Sequence, residues 1–238
     1  MNKGNHGDDY RGMEDVMTLP ARDHKPAGQP DAGIAASVED VPLHPPAESG
    51  DFLPTELVDL AVADPRLVLD IRYATNNNFT GQKVYTEARA FLQRAAISAL
   101  IRAHDRLRAQ GLGLVIFDGY RPWSVTRMFW ILTPLEQREF VADPRNGSRH
   151  NRGCSLDVTL IDLSTGRYLE MPTEFDEFTS RAYHSYDVCS AESARNRSIL
   201  REAMESEGFG INPSEWWHYD YPDWARYQIL DLSFAELG

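Results

Sequence analysis

The chain has 238 residues, enough for one good-sized domain or two small ones, and its 42% hydrophobic, 25% charged and 11% aromatic content is that of an ordinary globular protein. With 36 acidic against 24 basic residues the formal charge is −12, which argues against nucleic-acid or anionic-membrane partners, since both reward clustered Lys and Arg; a small zwitterionic substrate stays open. Two cysteines, Cys154 and Cys189, exclude a disulfide framework, and no apolar run has the length of a signal peptide or a membrane span, so a cytoplasmic location is expected.

Residues 1–50 hold six of the 14 prolines and lack Phe, Trp and Cys. Stretches such as KPAGQPDAG bury too little to offset their ordering entropy, so this segment reads as a disordered or loosely attached tail, and its His6, His24 and His44 are discounted as ligands. A single folded domain is expected over 51–238. LVDLAVADPRLVLDIRY gives two short apolar segments split at Asp64-Pro65, the second alternating like a strand, and NNNFTGQ is a turn-rich loop. TEARAFLQRAAISALIRAHDRLRAQG predicts a helix whose apolar stripe is Phe91, Leu92, Ala95, Ala96, Leu100, Ala103 and Leu107, stopped by Gly111, with His104 on its solvated side. Leu112–Phe117 reads as a buried strand ending in an Asp-Gly turn, and Trp123–Leu132 as a short aromatic helix. A further helix is predicted over Glu192–Glu207, closed by Gly208, and INPSEWWHYDYP as a turn followed by a strand. Helices and strands mix without regular βαβ alternation, which favours an α+β domain with a mainly antiparallel sheet and packed helices.

The chemistry concentrates in SRHNRGCSLDVTL, residues 148–160. Strand alternation puts Ser155, Asp157 and Thr159 on one face and Leu156, Val158 and Leu160 on the other, so Asp157 points away from the apolar side. Gly153 lets the chain turn and bring His150 over the same spot. Taken by itself this pair reads as a loop histidine and a turn aspartate. SEWWHYD changes the balance, because His218 within so aromatic a strand needs a polar partner, and Glu215 lies three residues earlier. Two histidines, an aspartate and a further glutamate are the inventory of a hydrolytic zinc site, in which three protein ligands leave a position for water and a carboxylate takes its proton. In FDGYRPW, Arg121 is held extended by Pro122 and is placed either to stabilise an oxyanion or to make a surface salt bridge, with Asp118 capping the turn or orienting it. Cys154 alternates away from Asp157 and His184 reads as a loop residue, so neither is chosen as a ligand.

Ser148-x-His150-x-x-Gly153-x-Ser155-x-Asp157 closely resembles the S-x-H-x-x-G-x-A-x-D signature of the D-Ala-D-Ala metallopeptidases, with serine at 155 where the signature has alanine. Glu215-x-Trp217-His218 resembles that family's second signature, and DGYRP and RYATNNNFTG resemble its dipeptidase branch, in order from about Asp70 to Tyr219. The resemblance implies a hedgehog-like α+β fold. It implies one zinc ion held by His150, Asp157 and His218, with Glu215 as general base and Arg121 stabilising the transition state. It places Tyr73 and Asp176 near the amino end of a small D-amino-acid dipeptide and Ser148 near the reacting dipeptide. It gives no counterpart for the tail, and no oligomeric state is legible.

Three rivals stay open. An iron(II) oxygenase uses two histidines and a carboxylate, but commonly with a tighter His-x-Asp spacing and without a residue like Glu215. A non-catalytic zinc protein binding peptidoglycan fragments would not need both Glu215 and Arg121. A D,D- or L,D-carboxypeptidase acting on cell-wall peptides would have to leave open the space that an anion at Asp176 fills.

Overall fold

A computed structural model describes residues 41–238. Residues 1–40 of the segment read as a tail lie outside the described residues. Within residues 41–50, Glu48 accepts a hydrogen bond from Arg152 (2.6 Å) and one from the Ile229 amide (2.7 Å), and the Pro42 carbonyl accepts one from Arg127.

The strands are β1 (Leu57–Asp59), β2 (Val68–Leu69), β3 (Phe91–Gln93), β4 (Leu112–Asp118), β5 (Ser155–Asp162), β6 (Arg167–Tyr168), β7 (Gly210–Asn212) and β8 (Glu215–Asp220). The helices are α1 (Leu60–Ala63), α2 (Arg94–Arg108), α3 (Trp123–Leu132) and α4 (Ala191–Glu205), joined by several 3-10 turns. The main sheet runs β2-β4-β5-β8-β7, with β6 on the far end of β5, and only the β2–β4 pair is parallel; β1 and β3 form a separate antiparallel pair. The mixed α+β fold with an antiparallel-dominated sheet is therefore the one the sequence predicts.

β5 is the spine. Every residue from Ser155 to Ile161 is buried, and the strand is paired on both sides, with β4 and with β8. Leu156, Val158 and Leu160 are fully covered in the core, which α2 and α4 close by packing on each other and on the sheet. α4 begins at Ser190, whose hydroxyl accepts from the Ser193 amide at 2.9 Å and so satisfies one of the free donors of the first turn.

Two expectations need correction. The helix predicted to include Phe91 and Leu92 begins only at Arg94. Phe91–Gln93 is instead a strand paired with Leu57–Asp59, and the Gln93 side chain accepts from the Glu56 amide and donates to the Arg152 carbonyl, so long-range partners override a pattern that continues the helical stripe. His104 is not solvated: it is completely buried, with Nδ1 3.4 Å from Asp64. Asp64, at the break read between two apolar segments, supplies the polar partner that lets a histidine join the buried face of α2.

Candidate metal centre and active site

Strand register builds the site. Asp157, in β5, stands opposite His218 in β8 on one side and opposite Asp118 in β4 on the other. His150 arrives from the turn before β5. It lies in a 3-10 turn, His150–Arg152, that ends at Gly153 with φ 65° and ψ 29°. This left-handed backbone is natural only to glycine, and an added Cβ would collide with Leu57 Cδ2, so the turn predicted to fold His150 back depends on residue 153 having no side chain.

The three side chains meet. His150 Nε2 lies 3.1 Å from His218 Nδ1 and 3.5 Å from Asp157 Oδ1, and His218 Nδ1 lies 3.1 Å from the same carboxylate oxygen. One ligand atom from each falls within 4.8 Å of the others. The hydrogen bonds behind the rings decide which nitrogens face inward. His150 Nδ1 is 2.7 Å from the Gly119 carbonyl, which can only accept, so Nδ1 carries the hydrogen and a neutral ring turns the Nε2 lone pair inward. His218 Nε2 donates to Asp220 Oδ1 at 2.9 Å, so a neutral ring there presents the Nδ1 lone pair. Two lone pairs 3.1 Å apart beside a carboxylate repel unless a proton or a cation stands among them. Burial opposes charge on His218, but Asp220 and Asp157 outweigh it and hold the imidazole well above its ordinary pKa. Burial likewise opposes the Asp157 carboxylate, and the two imidazoles more than compensate, keeping it ionised far below the usual range. Two inward imidazole lone pairs and one carboxylate fit a divalent transition metal of the zinc type, whose sites take this donor set.

Glu215 stands beside this cluster, with Oε2 3.7 Å from His218 Nδ1 and accepting from Asn212 Nδ2 at 2.8 Å. Burial pushes its carboxyl up to about 7, against the pull of His218. Arg121 completes the wall. Its Nε and Nη2 donate to Asp118 Oδ2 at 2.9 and 2.7 Å, and its guanidinium lies over the rings of Phe129 (4.8 Å) and Tyr73 (5.3 Å). Burial disfavours its charge, and the Asp118 carboxylate outweighs that. Asp118 performs both roles considered for it: Oδ1 takes the Gly119 amide and the Tyr85 hydroxyl, both at 2.9 Å, while Oδ2 orients the arginine.

The cleft over these groups has a volume of about 250 Å³. Asp176 lies at its other end, where the Tyr73 hydroxyl donates to Oδ1 (3.1 Å) and the Phe79 amide to Oδ2 (3.3 Å). Burial first, and then the Asp157 charge, push this carboxyl well above the usual carboxylate range. Among the described residues, Asp176 is the one non-glycine with a left-handed backbone, φ 60°. Ser148 lines the cleft; its hydroxyl accepts from the His150 amide at 3.2 Å and its amide donates to Asn151 at 2.7 Å, so it also sets the His150 turn. All eight sequence-predicted residues thus surround one cleft. Cys154 and His184 do not line it. The Cys154 thiol points to the Arg152 carbonyl and burial pushes it up to about 12. The sequence reading missed the Gly119 carbonyl, Asn212 and Asp220. Gly119 contributes only backbone; an added Cβ there would come 2.9 Å from the Phe91 carbonyl.

A buried sheet carrying an inward-facing His-Asp-His set beside a glutamate and an arginine is an arrangement that metallopeptidase chemistry can use. The D-ala-D-ala dipeptidase family, Peptidase_M15, matches residues 54–236, and the chain belongs to that family. A D-alanyl-D-alanine dipeptidase of Escherichia coli K12 is 39% identical over 181 residues, covering 76% of this chain and 92% of that protein. One of Enterococcus faecalis is 36% identical over 177 residues (65% and 88%), and one of Streptomyces coelicolor 35% over 190 (72% and 91%). Among the described residues no helix is long and apolar enough to cross a membrane.

Proposed function

We propose that the protein hydrolyses D-Ala-D-Ala to two D-alanines. The observation that carries the reading is the convergence of His150, Asp157 and His218 on one point with Glu215 Oε2 3.7 Å from the inward nitrogen of His218. His150 Nε2, Asp157 and His218 Nδ1 would hold one zinc ion. Bound there, zinc would polarise the scissile carbonyl and lower the pKa of water towards roughly 7.

The remaining work falls to side chains. Glu215 would accept a proton from the attacking water on its carboxylate and deliver it to the leaving amine. Its buried carboxyl, raised to about 7, suits an acid–base group that must do both near neutral pH. Asn212 holds its Oε2 and so fixes its orientation. Arg121 keeps its charge in an apolar wall and would donate to the oxyanion that forms as the carbonyl is attacked.

The other end of the cleft supports a free dipeptide as substrate. An ammonium group is the natural partner for this carboxyl: its positive charge would offset the burial and the Asp157 charge that favour the protonated form, leaving a carboxylate held by Tyr73 and Phe79 in an aromatic surround. Phe79, Phe129, Phe140 and Phe178 wall this space, and the whole cleft is smaller than the roughly 300–1,000 Å³ of a typical ligand pocket. A carboxypeptidase would need that space open for a longer chain. Ser148, which lines the cleft, would contact the reacting dipeptide. The test is to incubate zinc-loaded protein with D-Ala-D-Ala, with L-Ala-L-Ala, and with a longer peptide ending in D-Ala-D-Ala, and to measure free alanine. Release from the first alone is expected. Equal release from the longer peptide would make the protein a carboxypeptidase, and release from none would remove the activity.

A further inference from the structure

One buried carboxylate behind the cleft, described above only for its hydrogen bond to His218, takes no part in the proposed chemistry. Asp220 is 4% exposed, lies two residues beyond His218 on β8, and stands opposite Ser155 across the β5–β8 ladder. Its Oδ1 accepts from His218 Nε2 at 2.9 Å and from the Ser155 hydroxyl at 2.6 Å, and its Oδ2 accepts from Arg149 Nη1. The Arg149 guanidinium is itself seated over the Trp224 ring at 4.6 Å. Burying a carboxylate is costly unless its oxygens are satisfied, and here three donors from three segments satisfy it. Those donors leave the carboxylate one orientation, in which Oδ1 meets the outward nitrogen of His218.

We infer that Asp220, braced by Ser155 and Arg149, is the positioning residue for His218: it fixes the ring's rotation and tautomer so that Nδ1, rather than Nε2, faces the metal. The inference rests on the zinc reading above and deepens it. Without Asp220, a neutral His218 is free to place its hydrogen on Nδ1, which removes the inward lone pair, and its ring loses the contact that holds its angle. Ser155 has a defined place in this arrangement. Its hydroxyl is the second donor to Oδ1, and a side chain without one would leave that oxygen to His218 alone. The hydroxyl at 155 and the carboxylate at 220 therefore act as one cross-strand unit behind the ligand.

The test is a zinc titration of metal-stripped protein against a chromogenic chelator, for wild type, Asp220→Ala, Asp220→Asn, Ser155→Ala and the Ser155→Ala/Asp220→Ala double variant. Loss of an outer partner of a ligating histidine typically costs about 10–100-fold in metal affinity, and Asp220→Ala is expected in that range. Asp220→Asn keeps an acceptor for His218 Nε2 and should lose less, and it carries the test if the alanine variant does not fold. Ser155→Ala should lose less again, and should add nothing in the Asp220→Ala background, a coupling that general destabilisation would not produce. Thermal melting of the metal-free proteins checks that each is folded. Wild-type affinity in folded Asp220 variants, or an equal Ser155→Ala effect in both backgrounds, would overturn the inference while leaving the metal site standing. Failure of wild type itself to bind zinc would instead overturn the reading beneath it.

Discussion

The two ends of the cleft are built differently. At the metal end, Asp157, His218 and Glu215 stand on β5 and β8, strands tied into the middle of the sheet, and His150 sits one glycine turn before β5. At the other end, Asp176 lies in a loop with a left-handed backbone and is held by Tyr73 and Phe79, also from irregular segments. The groups to which we assign bond breaking thus ride on strands paired on both sides, apart from His150 in the turn before β5. The groups to which we assign substrate selection lie outside the sheet. On these proposed roles, chemistry and selectivity are carried by separate elements.

Substitutions can break or sharpen that separation. The largest effect is expected at the metal end: Glu215→Ala should retain bound zinc and lose roughly 10²–10⁴ in kcat. Normal turnover by a zinc-loaded Glu215→Ala protein would remove Glu215 as the base. At the loop end, Asp176→Ala removes a charged partner of the substrate ammonium, a loss of about 1.5–3 kcal/mol, or roughly 10–150-fold in kcat/KM. It should fall mainly on KM and leave zinc affinity unchanged, because the ammonium contact is the same in the ground and transition states. An unchanged KM, or a lost metal, would deny the two ends their independence. The smallest effect is one of stability. Gly153→Ala forces a side chain onto a left-handed residue and into Leu57, and should cost about 1–3 kcal/mol in urea unfolding while loosening the His150 turn. Full stability in that variant would mean that the turn relaxes without strain.

The same contrast explains what the sequence could reveal. His150, Asp157, Glu215 and His218 were legible because strand alternation and motif spacing act over a few residues, and a histidine inside SEWWHYD asks for a partner. Asp176, Tyr73 and Ser148 came only through resemblance to a family, since no local rule makes a loop carboxylate a substrate contact. Alternation puts Asp220 on the His218 face of its strand, but its partners Ser155 and Arg149 come from other segments, and that pairing is a property of the folded sheet, as is the turn that brings Asn212 to Glu215. Phe91–Gln93 was misread because its apolar residues continue the stripe of α2 without a break, and only pairing with Leu57–Asp59 ends the helix at Arg94. His104 was misplaced because its partner Asp64 is 40 residues away in sequence.

The most direct measurement is the zinc content of purified protein, wild type against His218→Ala, after reconstitution and removal of loosely held metal. One zinc ion per chain in wild type and essentially none in the folded variant is the expected result. Full occupancy in the His218→Ala protein, or none in wild type, would contradict the assignment of that cluster as the metal centre.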